Sequence, residues 1–274
     1  MKKILFACDG DHFPEGAFKF IKSLQVNEPV TLKGMFFTGV AIRQLSSPVY
    51  SEFAAPYVRL VEEEKQSIIR SRERFIHECE SYGIRHKIEE YEEGWDQAQF
   101  IKETRFADLA LISEQLFCKE ILQDQPNSFM EEALRIAECP VMIIPESFAS
   151  VERIVVAYDG KKESAFALKQ FSHLFSEFDE LPVEFVYVKD DETDDIPDME
   201  LLKEYSNAHY DAGNITKLHF DAGQSFSNWL QNKKNTLLVA GSFSRSGTSM
   251  LFKPSFAEKI IRKSSIPVFI AHNV

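Results

Sequence analysis

The chain has 274 residues, of which 44% are hydrophobic and 27% charged, with a formal net charge of −12 at pH 7. That length suits two domains of ordinary size, each able to bury its own apolar interior, and the composition is neither disordered nor fibrous. The negative charge opposes nucleic acid and anionic membrane surfaces as partners, because both require a basic stripe that displaces counterions.

In chain order, Met1-Lys2-Lys3 runs directly into Ile4-Leu5-Phe6-Ala7 and the acidic Asp9. The apolar stretch is too short for a signal peptide, and no run reaches membrane-spanning length, so a cytoplasmic protein is expected. The run ends in Asp9-Gly10 and is followed by Glu15-Gly16-Ala17-Phe18, which opens an apolar pattern at helical spacing through Phe18, Ile21 and Leu24. A second strand is expected over 30–37. A long charged helix follows, starting near Glu52 or Tyr57 and ending at Ser81, with Val61, Ile68, Phe75 and Cys79 on one packed stripe. A third strand ends near Gly94, a helix surrounds Ala98 to Ile101, and a fourth strand occupies 109–113. A capped helix then runs from Ser128 to beyond Glu131, and the strand Pro-Val-Met-Ile-Ile-Pro lies at 140–145.

The same order then begins again. Residues 2–10, KKILFACDG, align with 152–160, ERIVVAYDG, and Glu163-Ser164-Ala165-Phe166 opens a helix with Leu168, Phe171 and Phe175 at helical spacing. Strands follow at 183–188 and before Gly223, a helix at Phe226 to Leu230, a strand at 237–241, a helix from Ser255 and a last strand at 267–272. Strand and helix alternating in this way predict an α/β fold: two tandem domains, each a five-stranded parallel sheet with helices on both faces, with boundaries at 1–147 and 148–274. The first and fourth strands hardly alternate in polarity, as expected of strands buried on both faces. The halves differ most between the Asp-Gly turn and the third-strand glycine. There the first half carries a helical arm over about 39–81, and the second a short acidic segment from Asp190 to Asp198. That acidic run lacks the glycine turn and terminal glutamate of a calcium loop and reads as solvated. The cysteines, Cys8, Cys79, Cys118 and Cys139, have no metal-ligand spacing and read as reduced thiols packed as small hydrophobes.

The Asp-Gly after each first strand, the Ser-Phe-x-Glu helices and the Cys-Pro-Val and Ile-Pro-Val strands together resemble the universal stress protein family. The most telling stretch is Leu238-Val239-Ala240-Gly241-Ser242-Phe243-Ser244-Arg245-Ser246-Gly247, continuing to Ser255-Phe256-Ala257-Glu258. The resemblance implies a Rossmann-like fold of the adenine nucleotide alpha hydrolase type, a capacity in some members to bind ATP or a related adenine nucleotide, and pairing through the last strand. In a tandem member, the strands at 140–145 and 267–272 are then expected to face one another as a dimer made within one chain.

In ATP-binding members the loop after the fourth strand reads Gly-x2-Gly-x9-Gly-Ser or Gly-Thr. Glycines there let backbone amides approach phosphate oxygens, beside the positive end of the next helix. The second half keeps Gly241 but has Ser244 and Pro254 at the other two glycine positions. Proline lacks the amide proton, a loss of about 1.5–3 kcal/mol for a charge-assisted contact. A serine side chain where φ is positive costs about 1 kcal/mol. Together these weaken binding on the order of a hundredfold. Arg245, Lys253, Ser242, Ser246, Ser255, Gly247 and Lys161-Lys162 favour an anion, although Ser255 with Glu258 also forms a capping box that requires no ligand. By resemblance, Asp159 and Gly160 lie at an adenine or ribose edge, Val188 at an apolar wall for the base, and Gly241, Ser242, Arg245, Ser246, Gly247, Ser255 and Phe256 at the phosphate loop. In the first half Ser113 replaces the glycine, the segment 114–127 contains none, and Asp9 reads as a turn residue, so the ligand motif is lost.

No nucleophile elbow, zinc helix or Walker loop is present, and the seven histidines are scattered. No catalytic residues are assigned, which argues against an enzyme without excluding a slow ATPase. Two functions remain in competition: a stress-response protein that takes ATP, with magnesium, in its second domain, and an interaction or scaffold protein of the same family that uses the first-domain arm against a protein partner. A further homodimer is compatible with either.

Overall fold

A computed structural model of the chain describes residues 1–10, 12–37, 54–88, 97–118, 133–188, 195–218, 226–241 and 265–271. The chain divides into two compact units, Met1–Cys139 and Pro140–Val274.

In the first unit, β1 (Lys2–Asp9), β2 (Val30–Phe37), β3 (Arg85–Ile88) and β4 (Leu109–Ser113) form a parallel sheet in the order β3-β2-β1-β4. Every residue of β4 is buried, which explains its unbroken apolar run. Helix α1 (Glu15–Asn27) starts after Pro14, whose carbonyl accepts the Phe18 amide, and buries Ala17, Phe18, Phe20, Ile21 and Leu24. Helix α2 (Ala54–Ser81) has its C-terminal half on the sheet. Phe75 is wholly buried, its ring centroid 5.6 Å from Phe6 and from Phe36 and 6.4 Å from Phe18. Cys79 and Ser71 are buried beside it, Ile68 is half-buried, and the Val61 side chain lies outside the described residues. Helix α3 (Gln97–Arg105) is tied to β2 by the ion pair of Lys33 Nζ with Glu103, 2.6 Å apart. A short helix α4 (Glu114–Cys118) follows β4 without an intervening loop.

The second unit begins with β5 (Val141–Ile144). Its remaining strands are β6 (Arg153–Tyr158), β7 (Val183–Val188), β8 (Gly213–Leu218), β9 (Thr236–Gly241) and β10 (Val268–Ala271), in the order β5-β10-β9-β6-β7-β8. All neighbouring strands here run parallel except β5 and β10, which are antiparallel with Val141, Met142 and Ile143 opposite Ile270, Phe269 and Val268. The division falls before Pro140, with β5 in the second unit, whereas the sequence alone places it between 147 and 148. Helix α5 (Lys162–Leu174) packs on β9 and β10, helix α6 (Met199–His209) joins β7 to β8, and helix α7 (Phe226–Gln231) precedes β9.

Both units pair their central strands in one register. Ile4 lies opposite Leu109 and Leu32, and Ile154 opposite Leu237 and Val183, so aligned residues of the two halves meet aligned partners. Phe37 thereby takes the place of Val188, and Ser113 that of Gly241.

Cys8, Cys79 and Cys139 are buried. Burial pushes the thiols of Cys79 and Cys139 up to about 12, keeping them protonated and unreactive. Iodoacetamide at pH 8 is therefore expected to leave these two unlabelled in the folded chain and to label them in urea, as read by mass spectrometry of tryptic peptides. The Cys118 side chain lies outside the described residues.

Candidate functional site

In the second unit the chain leaves β6 toward β7 on one side, while β9 and β10 lie on the other. Strand order reverses between β6 and β9, and in open α/β sheets a crevice forms at the carboxyl ends of such a pair. Three elements meet the crevice: the Asp159-Gly160 turn after β6, Gly241 at the end of β9, and Val188 at the end of β7.

The Asp159 carboxylate folds back on its own turn. Its Oδ1 accepts the Lys161 amide at 3.1 Å, its Oδ2 lies 3.7 Å from Lys161 Nζ, and the side chain is 10% exposed. The Asp159 amide faces Ser164 Oγ at 3.5 Å, and that hydroxyl donates to the Lys161 carbonyl at 2.9 Å. These bonds close the turn into the first turn of α5, the usual work of an aspartate in a tight bend. Lys161, at the N-cap position of α5, thus neutralises Asp159, while Lys162 Nζ lies 3.7 Å from Glu163.

Gly160 has φ +74, a conformation that favours glycine, and a Cβ added to it would stand 2.7 Å from Pro197 Cβ. The Tyr158 hydroxyl donates to the Pro197 carbonyl at 3.1 Å. Burial first, then the carboxylates of Asp198 and Asp159, raise the Tyr158 phenol above its ordinary value, so it remains neutral and able to donate. Asp198 follows with φ 54, a left-handed aspartate costing about 1–2 kcal/mol, and its side chain does not cap α6. The neutral hydrogen bond from Tyr158 contributes about 1 kcal/mol net.

Gly241 has a packing role that its place in a phosphate loop does not reveal. A Cβ there would lie 2.6 Å from the Glu163 carbonyl carbon and 2.7 Å from the Ser164 nitrogen, backbone atoms of the first turn of α5. The glycine lets helix and strand approach closely, as the last glycine of a dinucleotide fingerprint does. Val188 is described in its backbone alone, and Ser242, Arg245, Ser246, Gly247, Lys253, Ser255 and Phe256 lie outside the described residues. Of the sequence-derived site residues, Asp159, Gly160 and Gly241 are thus brought to one strand-end crevice with the end of β7.

The corresponding place in the first unit is built differently. The Gly10 amide donates to the Phe37 carbonyl at 2.7 Å, and the Gly10 carbonyl accepts the buried Ser71 hydroxyl at 2.8 Å. A Cβ on Gly10 would meet Ile68 Cγ1 at 2.6 Å, so α2 stands over the turn. Past β4, Ser113 Oγ accepts the Leu116 amide at 3.3 Å and caps α4. The chain therefore enters a helical turn where the second unit has Gly241.

Sequence reasoning missed Tyr158, Pro197 and Ser71 as neighbours of the two turns. Only Ser71 carried a signal, a small polar residue on the apolar stripe of α2 between Ile68 and Phe75. Among the described residues no cluster of histidine, cysteine, aspartate or glutamate forms a metal site, and no helix is long and apolar enough to cross a membrane.

The second unit is thus a doubly wound α/β domain with its candidate site at the strand-order reversal. Residues 150–272, just under half of the chain, match the model of the universal stress protein family. No curated protein matches the chain. Among solved structures, a universal stress protein from Archaeoglobus fulgidus DSM 4304 superposes with TM-score 0.65 at 16% identity, over 99% of this chain and 96% of its own. A putative universal stress protein from Pseudomonas aeruginosa UCBPP-PA14 superposes with TM-score 0.52 at 13% identity, over 99% of this chain and 93% of its own. A functionally unknown protein from Pseudomonas aeruginosa PAO1 gives TM-score 0.51 at 13% identity, over 99% and 92%. At these identities the likeness is one of fold, and it extends over both units.

Proposed function

We propose that the protein is a cytoplasmic stress-response protein that binds an adenine nucleotide, ATP with magnesium, weakly in its second unit, and signals through conformation or a partner. The observation that carries this reading is the contrast between the two strand-end turns. In the first unit a buried serine and isoleucine of α2 cover Gly10, and Ser113 caps a helix. In the second unit, among the described residues, Pro197 stands over Gly160, and Gly241 is retained. Asp159 and Gly160 would meet the ribose or base, Val188 the apolar face of the base, and Gly241 with Ser242, Arg245, Ser246, Gly247, Ser255 and Phe256 the phosphates. The fit is partial, because the Asp159 carboxylate already has Lys161 as partner and would have to exchange that contact for the ligand. In this reading the strands 141–144 and 268–271 act as the paired last strands of an intramolecular pseudo-dimer.

The test is calorimetric titration of the full chain with ATP and magnesium, together with mass spectrometry of any ligand released by heat. Binding is expected, with Asp159→Ala weakening it about tenfold. No heat from the wild-type chain and no released nucleotide would reject the reading.

A second reading has its own observation. Ile69 and Ile76, seven residues apart on α2, are 45% and 36% exposed, so the arm presents apolar side chains to solvent. An interaction protein would use this face, and Ile69→Asp with Ile76→Asp should abolish recovery of a protein partner in a pulldown while leaving the circular dichroism unchanged.

A further inference from the structure

Both units cover an Asp-Gly turn, after β1 in one and β6 in the other, with chain from the β2–β3 and β7–β8 connections respectively, but the two covers differ in kind. In the first unit the cover is the middle of a continuous helix: Ile68 is against Gly10, the buried Ser71 hydroxyl is bonded to its carbonyl, and about four turns of α2 continue N-terminally. In the second unit the described part of the cover is the non-helical stretch 195–198, placed just before α6. Pro197 and Asp198 are exposed to solvent, Asp198 is in the left-handed region, and the Tyr158 hydroxyl is the side chain that ties the segment to the strand end. Pro197 closes over Gly160 so tightly that no Cβ fits between them, and the neighbouring Asp159 side chain is 10% exposed.

We propose that residues 195–198 are a latch that opens and closes over the Asp159-Gly160 turn, with Tyr158 as its catch, so that access to this turn is controlled in the second unit and permanently denied in the first. The physical basis is the balance at the segment. Among the described residues, what holds it closed is the Tyr158 hydrogen bond, the contact of the Pro197 ring and the half-buried Ile196. What opposes closure is an unfavourable backbone conformation at Asp198, on a segment that buries little surface. In the first unit the equivalent cover cannot lift without unpacking Phe75 and Cys79 from the core, because all are on one rigid helix. Opening frees the turn whose Lys161 amide and ammonium group hold Asp159, so any ligand of that carboxylate meets the latch first. The ligand part of this inference rests on the nucleotide reading above, whereas the motion itself does not.

Hydrogen exchange on the full-length chain without added ligand tests the motion. Two amides report on it: Leu202, bonded to the Asp198 carbonyl at 2.9 Å, and Lys161, bonded to Asp159. Tyr158→Phe removes the catch and should speed exchange at both about three- to tenfold, with β9 and the first unit unchanged. Asp198→Gly relieves the backbone conformation and should slow exchange at Leu202 about fivefold. Unchanged rates in Tyr158→Phe would overturn the latch, as would acceleration spread evenly over the whole second unit. ATP with magnesium, titrated into the same variants, tests the consequence: Tyr158→Phe should bind more tightly by the factor by which it opens. Equal affinity in both would overturn control of access, while a local exchange response with no uptake of ATP by any variant would leave the latch standing and reject the nucleotide reading.

Discussion

Gly241→Val is expected to destabilise the second unit by about 3 kcal/mol, the upper part of the range for overpacking a tight contact. The new side chain would meet the backbone of Glu163 and Ser164 within 2.8 Å, and backbone in the first turn of a helix cannot rotate away as a side chain can. Either α5 moves off β9, losing burial of Ala167, Leu168 and Phe171, or β9 shifts against β6 and β10. Urea unfolding followed by far-UV circular dichroism should show the second unit melting earlier and the first unit unmoved. The two units are treated as separate transitions, because a single free energy is not defined for a chain of two domains. Gly241→Ala should shift the same transition less. If Gly241→Val leaves it in place, the glycine is not there for helix packing and its role in a ligand loop gains weight.

Phe75→Ala is expected to cost the first unit about 3–5 kcal/mol. The ring is wholly buried and lies among Phe6, Phe18, Phe36 and His86, with Gly34 leaving room for it: a Cβ there would stand 3.2 Å from the ring. Truncation would leave a cavity bounded by rigid rings and a strand, which collapses poorly. Because Phe75 joins α2 to the sheet, the cover over Gly10 should loosen with it, and protection of the Gly10 amide, bonded to Phe37, should fall along with global stability. The same denaturation experiment measures the shift. Loss of less than about 1 kcal/mol would mean that α2 is held by other contacts.

Much of the framework was legible in the chain itself. The apolar runs at 4–8, 109–113, 154–158 and 237–241 belong to strands buried on both faces, and such runs have no polar side to disguise them. Helix α2 was legible from one stripe, and Ile68, Phe75 and Cys79 of that stripe do turn inward. Helix α6 was not. Its sequence follows an acidic run and buries only Leu202 and Ser206, too few apolar positions to stand out against a solvated loop. Helix α4 was missed for a related reason: the absence of glycine after Ser113 was read as a lost ligand motif, whereas the same absence allows a serine-capped helix to start there.

For the candidate site, residue types alone pointed to Asp159, Gly160 and Gly241, because a turn aspartate and strand-end glycines are local features with local signatures. What those residues do there is not local. Although Asp159 is held by Lys161 two residues on, that Gly241 is filled from the far side by α5 and that Pro197 covers Gly160 depend on pieces of chain brought together from positions up to about eighty residues apart. The sequence by itself determined the order of the strands and of helices α1, α2, α3, α5 and α7, since periodicity and punctuation are written in consecutive residues. Only the tertiary structure decided that one strand-end turn lies under a core helix and the other under Pro197, to which Tyr158 is bonded, because close packing between distant segments leaves no periodic trace in either.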